Sequence, residues 1–256
     1  MILAIDIGNT HMVLGCLNEQ NEVITQFQLR TDTKKTVHEY AVSISQSLFL
    51  EKIPAYAFNG AIISSVVPDV KKKIAEVVRI LLNTEPLLLG EGVPVDMGID
   101  MNGLTVDDIA GDLIASSVAA KEYYPLPVII ADVGTATTVV VVDQNGNYIG
   151  GCILPGPATA LSGLVENTAL LPAIDFSAPD RVIAKDTINS MRSGIIFGSA
   201  GALDGILERF EEEIGKSTIL MTGGLGEVIA KYCRHEIIVD RELLLKGLGL
   251  IWKYNN

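Results

Sequence analysis

Apolar residues fall along this chain in short β-branched runs that stop at a small or acidic residue, alternating with longer stretches of helical periodicity. The first run, Met1-Ile2-Leu3-Ala4-Ile5, meets Asp6 and, past Ile7, Gly8-Asn9-Thr10. It predicts a buried strand with a carboxylate at its end, followed by a tight turn. The pattern returns 126 positions later (Asp6 to Asp132) as Val128-Ile129-Ile130-Ala131-Asp132-Val133-Gly134-Thr135-Ala136-Thr137. Superposed without a gap, Gly8 meets Gly134, Val13-Leu14 meets Val139-Val140, Asn21 meets Asn147 and Val23 meets Ile149. Each copy predicts a strand, a glycine turn, a second strand, a polar hairpin and a third strand. Repetition of this kind points to a duplicated architecture.

The other segments fit around the two copies. Residues 23–29 read as the third strand of the first copy. Residues 36–50 read as a helix with Tyr40, Val42, Ile44, Leu48 and Phe49 mostly facing the core. A buried strand over 60–67 stops at Pro68, with Ser64 and Ser65 near its carboxyl end, where open α/β sheets collect ligand groups. Packing alone explains two small polar residues there equally well. A helix over 69–82 and a short strand over 85–89 follow, then a loop over 90–107 of the length that usually serves function. Residues 108–123 form a helix of small residues suited to close packing. Leu126-Pro127 separates a first domain, 1–125, from a second, 126–256. In the second, a Gly/Pro loop at 150–157 leads to a helix from 158, and 186–215 are largely helical, with Gly194, Gly198 and Gly201 on one side permitting tight helix approach. A strand over 217–222 runs into Gly223-Gly224 and a helix from 226. A strand over 237–240 and a helix over 241–252 close the chain.

With 256 residues, 48% of them hydrophobic, the chain can bury a sizeable core. A formal net charge of −12 argues against nucleic acid as a partner. The basic cluster Lys71-Lys72-Lys73 reads as a solvated helix face. Three widely spaced cysteines, Cys16, Cys152 and Cys233, fit a reducing cytoplasm and form no metal-binding spacing. No basic segment precedes the first apolar run, so no signal peptide is expected, and no uncharged run is long enough to span a membrane.

The repeated turn suggests the chemistry. A glycine without Cβ lets a backbone amide approach a bound anion, and Asn9, Thr10, Thr135 and Thr137 can donate to phosphate oxygens. Asp6 and Asp132 can hold a cation, directly or through water. One such turn could be an ordinary hairpin capped by its aspartate; two in register favour phosphate binding. Gly223 and Gly224, at a strand-to-helix junction, offer amides to a nucleotide's phosphate or ribose, or serve only a turn that needs small residues.

Together these pieces resemble the acetate and sugar kinase/Hsp70/actin superfamily, and within it the type III pantothenate kinases. The likeness rests on Asp6-Ile7-Gly8-Asn9-Thr10, Ile63-Ser64-Ser65-Val66-Val67-Pro68, Asp132-Val133-Gly134-Thr135-Ala136-Thr137-Thr138, Thr222-Gly223-Gly224-Leu225 and Leu245-Lys246-Gly247-Leu248, spread over nearly the whole chain. The resemblance implies an α/β fold of two duplicated ribonuclease-H-like halves, with mixed sheets and a cleft between them. It implies ATP-dependent phosphorylation of pantothenate, the first step towards coenzyme A, by a cytoplasmic homodimer with Mg²⁺ and a monovalent cation, potassium or ammonium. Asp6, Gly8, Asn9, Thr10 and Val13 would line the ATP phosphates with Gly134 and Thr135, and Asp132 would hold the monovalent cation. Ala110, Gly111, Asp112, Leu113 and Thr187 would meet pantothenate, with Asp112 accepting the proton of its hydroxyl. The small-residue helix at 108–120 could serve the dimer interface.

Two positions depart from the family pattern. Leu113 stands where the family places an arginine, and Gly103 where many members place a substrate-contacting tyrosine. Loss of a bidentate charged contact at a recognition site costs a few kcal/mol, roughly two powers of ten in binding. Arg181 or Arg192 could supply the charge instead. The departures keep two other readings open: a catalytically silent nucleotide-binding homologue with a regulatory role, or a kinase of another hydroxyl acceptor.

Overall fold

Two five-stranded sheets of the same topology frame the protein. The computed structural model describes residues 1–90, 95–105 and 108–256; parts of the loop expected over 90–107 lie outside them. The first sheet is built from β1 (Ile2–Ile7), β2 (His11–Leu17), β3 (Val23–Arg30), β4 (Gly60–Ser65) and β5 (Leu87–Leu88), in the order β3-β2-β1-β4-β5. The second uses β6 (Val128–Val133), β7 (Ala136–Val142), β8 (Tyr148–Pro155), β9 (Thr218–Thr222) and β10 (Ile238–Val239), in the order β10-β9-β6-β7-β8. Read from the other end, that order matches the first. In each, the opening strand pairs antiparallel with its hairpin partner and parallel with the strand that returns after a crossover.

The duplication is present, but its register differs from the ungapped superposition. Ile7 pairs with Met12, whereas Val133 pairs with Thr137, so the second turn is one residue shorter. Beyond the turn Val13 therefore corresponds to Thr138, and Asn21 to Gly146. Those last two both have positive φ, 68° and 79°, at the same place in their hairpins. The extra residue is Asn9, and Thr10 is the counterpart of Thr135.

Chain contacts divide the protein into one unit of Met1–Glu122 with Glu242–Asn256 and another of Tyr123–Arg241. The closing helix, α7 (Leu243–Tyr254), expected in the second half, thus belongs to the first. Its seat is shaped by glycines: a Cβ on Gly15 would come within 2.6 Å of Leu245, and one on Gly60 within 2.6 Å of the Trp252 ring. On the opposite sheet face, Leu3, Ile5, Ile7 and Leu14 pack with α1 (Val37–Leu50) and α2 (Pro68–Leu82) through Tyr40, Ile44, Val70 and Ile74. α1 starts from a capping box in which Thr36 and Glu39 satisfy each other's backbone amides. Val42 and Phe49, expected towards the core, are exposed because they lie off the Tyr40-Ile44-Leu48 stripe.

The small-residue helix is α3 (Gly111–Tyr123), starting three residues later than expected. Its buried residues from Ile114 to Ala120 are covered within their own unit: a Cβ on Gly247 of α7 would collide with the Ala115 carbonyl. Those residues are thus not available as a dimer surface. In the second unit Ile129, Ala131, Val139 and Met221 pack with Ile196, Leu203 and Leu207 of α5 (Thr187–Ile214) and with Ile229 of α6 (Gly226–Ala230). Buried Asp204 of α5 accepts the Arg234 and His235 amides and meets His235 Nδ1 at 2.8 Å, which fixes the segment before β10. α4 (Pro157–Glu166) packs on the first turns of α5 through Leu161, Met191 and Ile195. The glycines expected to let α5 approach another helix do not: Cβ atoms on Gly194, Gly198 and Gly201 would meet open space. Among the described residues, no helix is long and apolar enough to cross a membrane.

Candidate active site

Strand alternation decides which side chains meet. In the first unit Leu3, Ile5 and Ile7 enter the α1/α2 core, so Asp6 faces the other way. Its register partners Val13 on β2 and Ser64 on β4 share that face. α3 begins on the same side, because a Cβ on Gly111 would lie 3.0 Å from Ser64 Oγ and 3.5 Å from Leu89. This close approach brings Asp112, in the first turn of α3, to the face that carries Asp6. The Ala110 carbonyl accepts the Leu113 and Ile114 amides and so starts the helix. The Leu113 amide also donates to Asp112 Oδ1 at 2.8 Å.

Burial pushes the Asp112 carboxyl above its ordinary value, against the downward pull of the Leu113 amide. A carboxylate kept hungry for a proton in this way suits a general base. Ser64 is buried, and Ser65 Oγ accepts the Val67 amide and donates to the Val67 carbonyl, capping the turn after β4. Gly103 lies in an exposed turn at φ 83°, next to Asn102 at φ 52°, where a tyrosine would be strained.

The first turn is closed by Gly8 N–H donating to His11 O at 3.0 Å, leaving Asn9 and Thr10 exposed. Thr31, just past β3, braces it twice. Its hydroxyl donates to Gly8 O at 2.8 Å and its amide to Thr10 O at 2.9 Å.

The second unit repeats the device. Gly134 N–H donates to Ala136 O at 3.0 Å, and Gly156 N–H donates to Thr135 O at 3.1 Å, as the Thr31 amide does to Thr10. Gly156 is glycine because a Cβ there would collide with the Gly134 and Thr135 carbonyls. Thr159 of α4 adds a hydroxyl bond to Thr135 O at 2.6 Å. Asp132 pairs in register with Thr138 and Thr222. Gly223, at φ 88°, presses on it: a Cβ would strike Asp132 Oδ1 and the Val133 backbone. Gly224 follows, exposed.

In the first unit Asp6, Gly8, Asn9, Thr10, Val13, Gly111 and Asp112 therefore gather at the turn and its flanking face. In the second, Asp132, Gly134, Thr135, Gly223 and Gly224 do the same. Thr187 is separate, the first residue of α5. Thr31 and Thr159 escaped the sequence reading. A superposition allowing one gap would have aligned Thr31 with Gly156, whose amides bind equivalent carbonyls, but it sets Thr159 opposite Lys34 and gives no sign of that brace.

The family model described as type III pantothenate kinase matches residues 2–209. A type III pantothenate kinase of Syntrophus aciditrophicus (strain SB) is 38% identical over 257 residues, covering 100% of this chain and 100% of its own. Among solved structures, one described as a Baf family transcriptional activator from Campylobacter jejuni superposes with a TM-score of 0.60 at 20% identity, covering 99% of this chain and 98% of that one. The inorganic polyphosphate/ATP-glucomannokinase of Arthrobacter sp. strain KM superposes with a TM-score of 0.54 at 13% identity, covering 100% and 99%. At such identities the two structures speak for the fold alone, that of duplicated ribonuclease-H-like halves.

Proposed function

The chain belongs to the type III pantothenate kinases, and from that premise we propose how its own residues carry phosphoryl transfer from ATP to pantothenate. The product, 4′-phosphopantothenate, is the first intermediate towards coenzyme A. Full-length identity to a curated pantothenate kinase favours this acceptor over a silent homologue or another alcohol.

Phosphoryl transfer asks mainly for positioning and charge neutralisation. The Gly8 and Gly134 turns present amides and the Asn9, Thr10 and Thr135 side chains to the ATP phosphates, braced from behind by Thr31 and Thr159. Gly223 and Gly224 serve the nucleotide's ribose or phosphate. Asp112 takes the proton of the pantothenate 4′-hydroxyl as that oxygen attacks the γ-phosphorus. The observation that carries this role is its half-buried carboxyl, held above its ordinary value on the face shared with Asp6.

Asp132 is the residue that would hold a monovalent cation: its carboxylate is half-buried at the end of β6, beside the Gly134 turn. Bound there, potassium or ammonium would offset phosphate charge. Mg²⁺ would reach the site with ATP, held largely by phosphate and water oxygens. Three free cysteines accord with a cytoplasmic enzyme. We propose that the homodimer contact lies away from the buried residues of α3.

Coupled ADP release tests the reaction. ADP that depends on pantothenate supports it. Release only with another alcohol, or with none, would replace it by one of the two rival readings.

A further inference from the structure

A cavity of about 760 Å³ opens in the second unit beside the first two turns of α5. Its size lies in the roughly 300–1,000 Å³ range of small-molecule sites. Leu164, Leu171, Met191 and Ile195 give it an apolar wall, and Lys185, Thr187 and Ser190 line it with polar groups. Asp186 also lines it, but that carboxylate accepts the Asn189 amide and Nδ2 at 2.9 Å each. Those two bonds turn the carboxylate towards the α5 N-terminus and hold it ionised, so its negative charge stands beside Lys185. Lys185 is the cation among the lining residues, and no described carboxylate pairs with it. Of the two arginines that could replace the missing one, Arg192 bonds Asp175 at 2.9 Å, and Arg181 does not line the cavity.

We infer that Lys185 neutralises the carboxylate of the acceptor in this cavity, work for which Leu113 offers no charge. The inference rests on pantothenate being the acceptor. Pantothenate joins an aliphatic body to a terminal carboxylate, which matches an apolar wall with one ammonium group at its edge. Thr187 and Ser190 are placed to hold the ligand's amide or hydroxyl.

The test compares pantothenate with pantothenol, in which an uncharged alcohol replaces the carboxylate. Binding is read by calorimetry and turnover by ADP release, in wild type and Lys185→Met. The variant should weaken pantothenate binding and lower its kcat/KM about ten- to a hundredfold. Pantothenol values should stay within about twofold, KM for ATP should be unchanged, and Lys185→Arg should restore part of the loss. Equal losses for both ligands would reduce Lys185 to a structural residue, and no loss for either would remove it from the site. Failure of wild type to bind or phosphorylate either compound would overturn the acceptor assignment itself, and this inference with it.

Discussion

A methyl group on Gly111 would sit 3.0 Å from the hydroxyl oxygen of Ser64. This approach joins the start of α3 to the end of β4 and so sets where Asp112 stands relative to Asp6. Gly111→Ala should therefore harm catalysis more than folding. We expect a loss of about 1–2 kcal/mol in stability, only a few degrees in a chain of this size. A displacement near 1 Å should cut kcat about a hundredfold. Adding Ser64→Gly should recover much of that loss; an unchanged kcat in the single variant would separate Asp112 from the strand ends.

Asp112 also predicts a pH dependence of stability. Burial raises its folded value above the unfolded one, so the folded state holds this proton more tightly. The contribution is fully favourable below the ordinary carboxylate pKa of about 4 and is lost as pH rises through the raised value. Asp112→Asn should accordingly melt higher than wild type at pH 8, with the difference vanishing near pH 4. A gap of the same size at both pH values would contradict the assignment.

Gly223 has φ 88° and lies against Asp132 Oδ1. Alanine there should cost roughly 1–2 kcal/mol in backbone strain, clash with the Val133 backbone besides, and push the carboxylate aside. We expect KM for ATP, or the potassium concentration for half-maximal rate, to rise at least about tenfold while KM for pantothenate stays put. Steady-state kinetics with each component varied in turn would decide it.

The return of α7 to the first unit depends on Gly247, whose missing Cβ admits the Ala115 carbonyl. Because that obstacle is backbone, it cannot rotate away. Gly247→Ala should destabilise by about 3 kcal/mol or more, lowering Tm by about 6 °C or more. An unaltered melting curve would mean that α7 tolerates a looser seat.

Much of this arrangement was legible in the chain. The strand-end aspartates, the two glycine turns and the doubled topology follow from β-branched runs broken at Asp6 and Asp132. Illegible were features set by space and not by pattern. One residue dropped from a turn leaves local periodicity intact while shifting every later equivalence, which hid the match of Thr10 with Thr135. Gly247 and Gly60 carry no sign of which helix they admit, so α7 was placed in the wrong half. The small residues of α3 and of α5 read alike, yet α3 is covered within its own unit and the α5 glycines are open. Nothing in the local sequence of Lys185 marks the open pocket formed beside it by α4 and the start of α5.

The most direct measurement is the yield of 4′-phosphopantothenate, counted with ADP by mass spectrometry, from wild type and Asp112→Asn at saturating ATP and pantothenate. We expect one product per ADP from wild type, and from the variant unaltered ATP binding with product formation reduced by at least about a thousandfold. Product from the variant at the wild-type rate, or ADP from wild type with no phosphorylated pantothenate, would contradict the account.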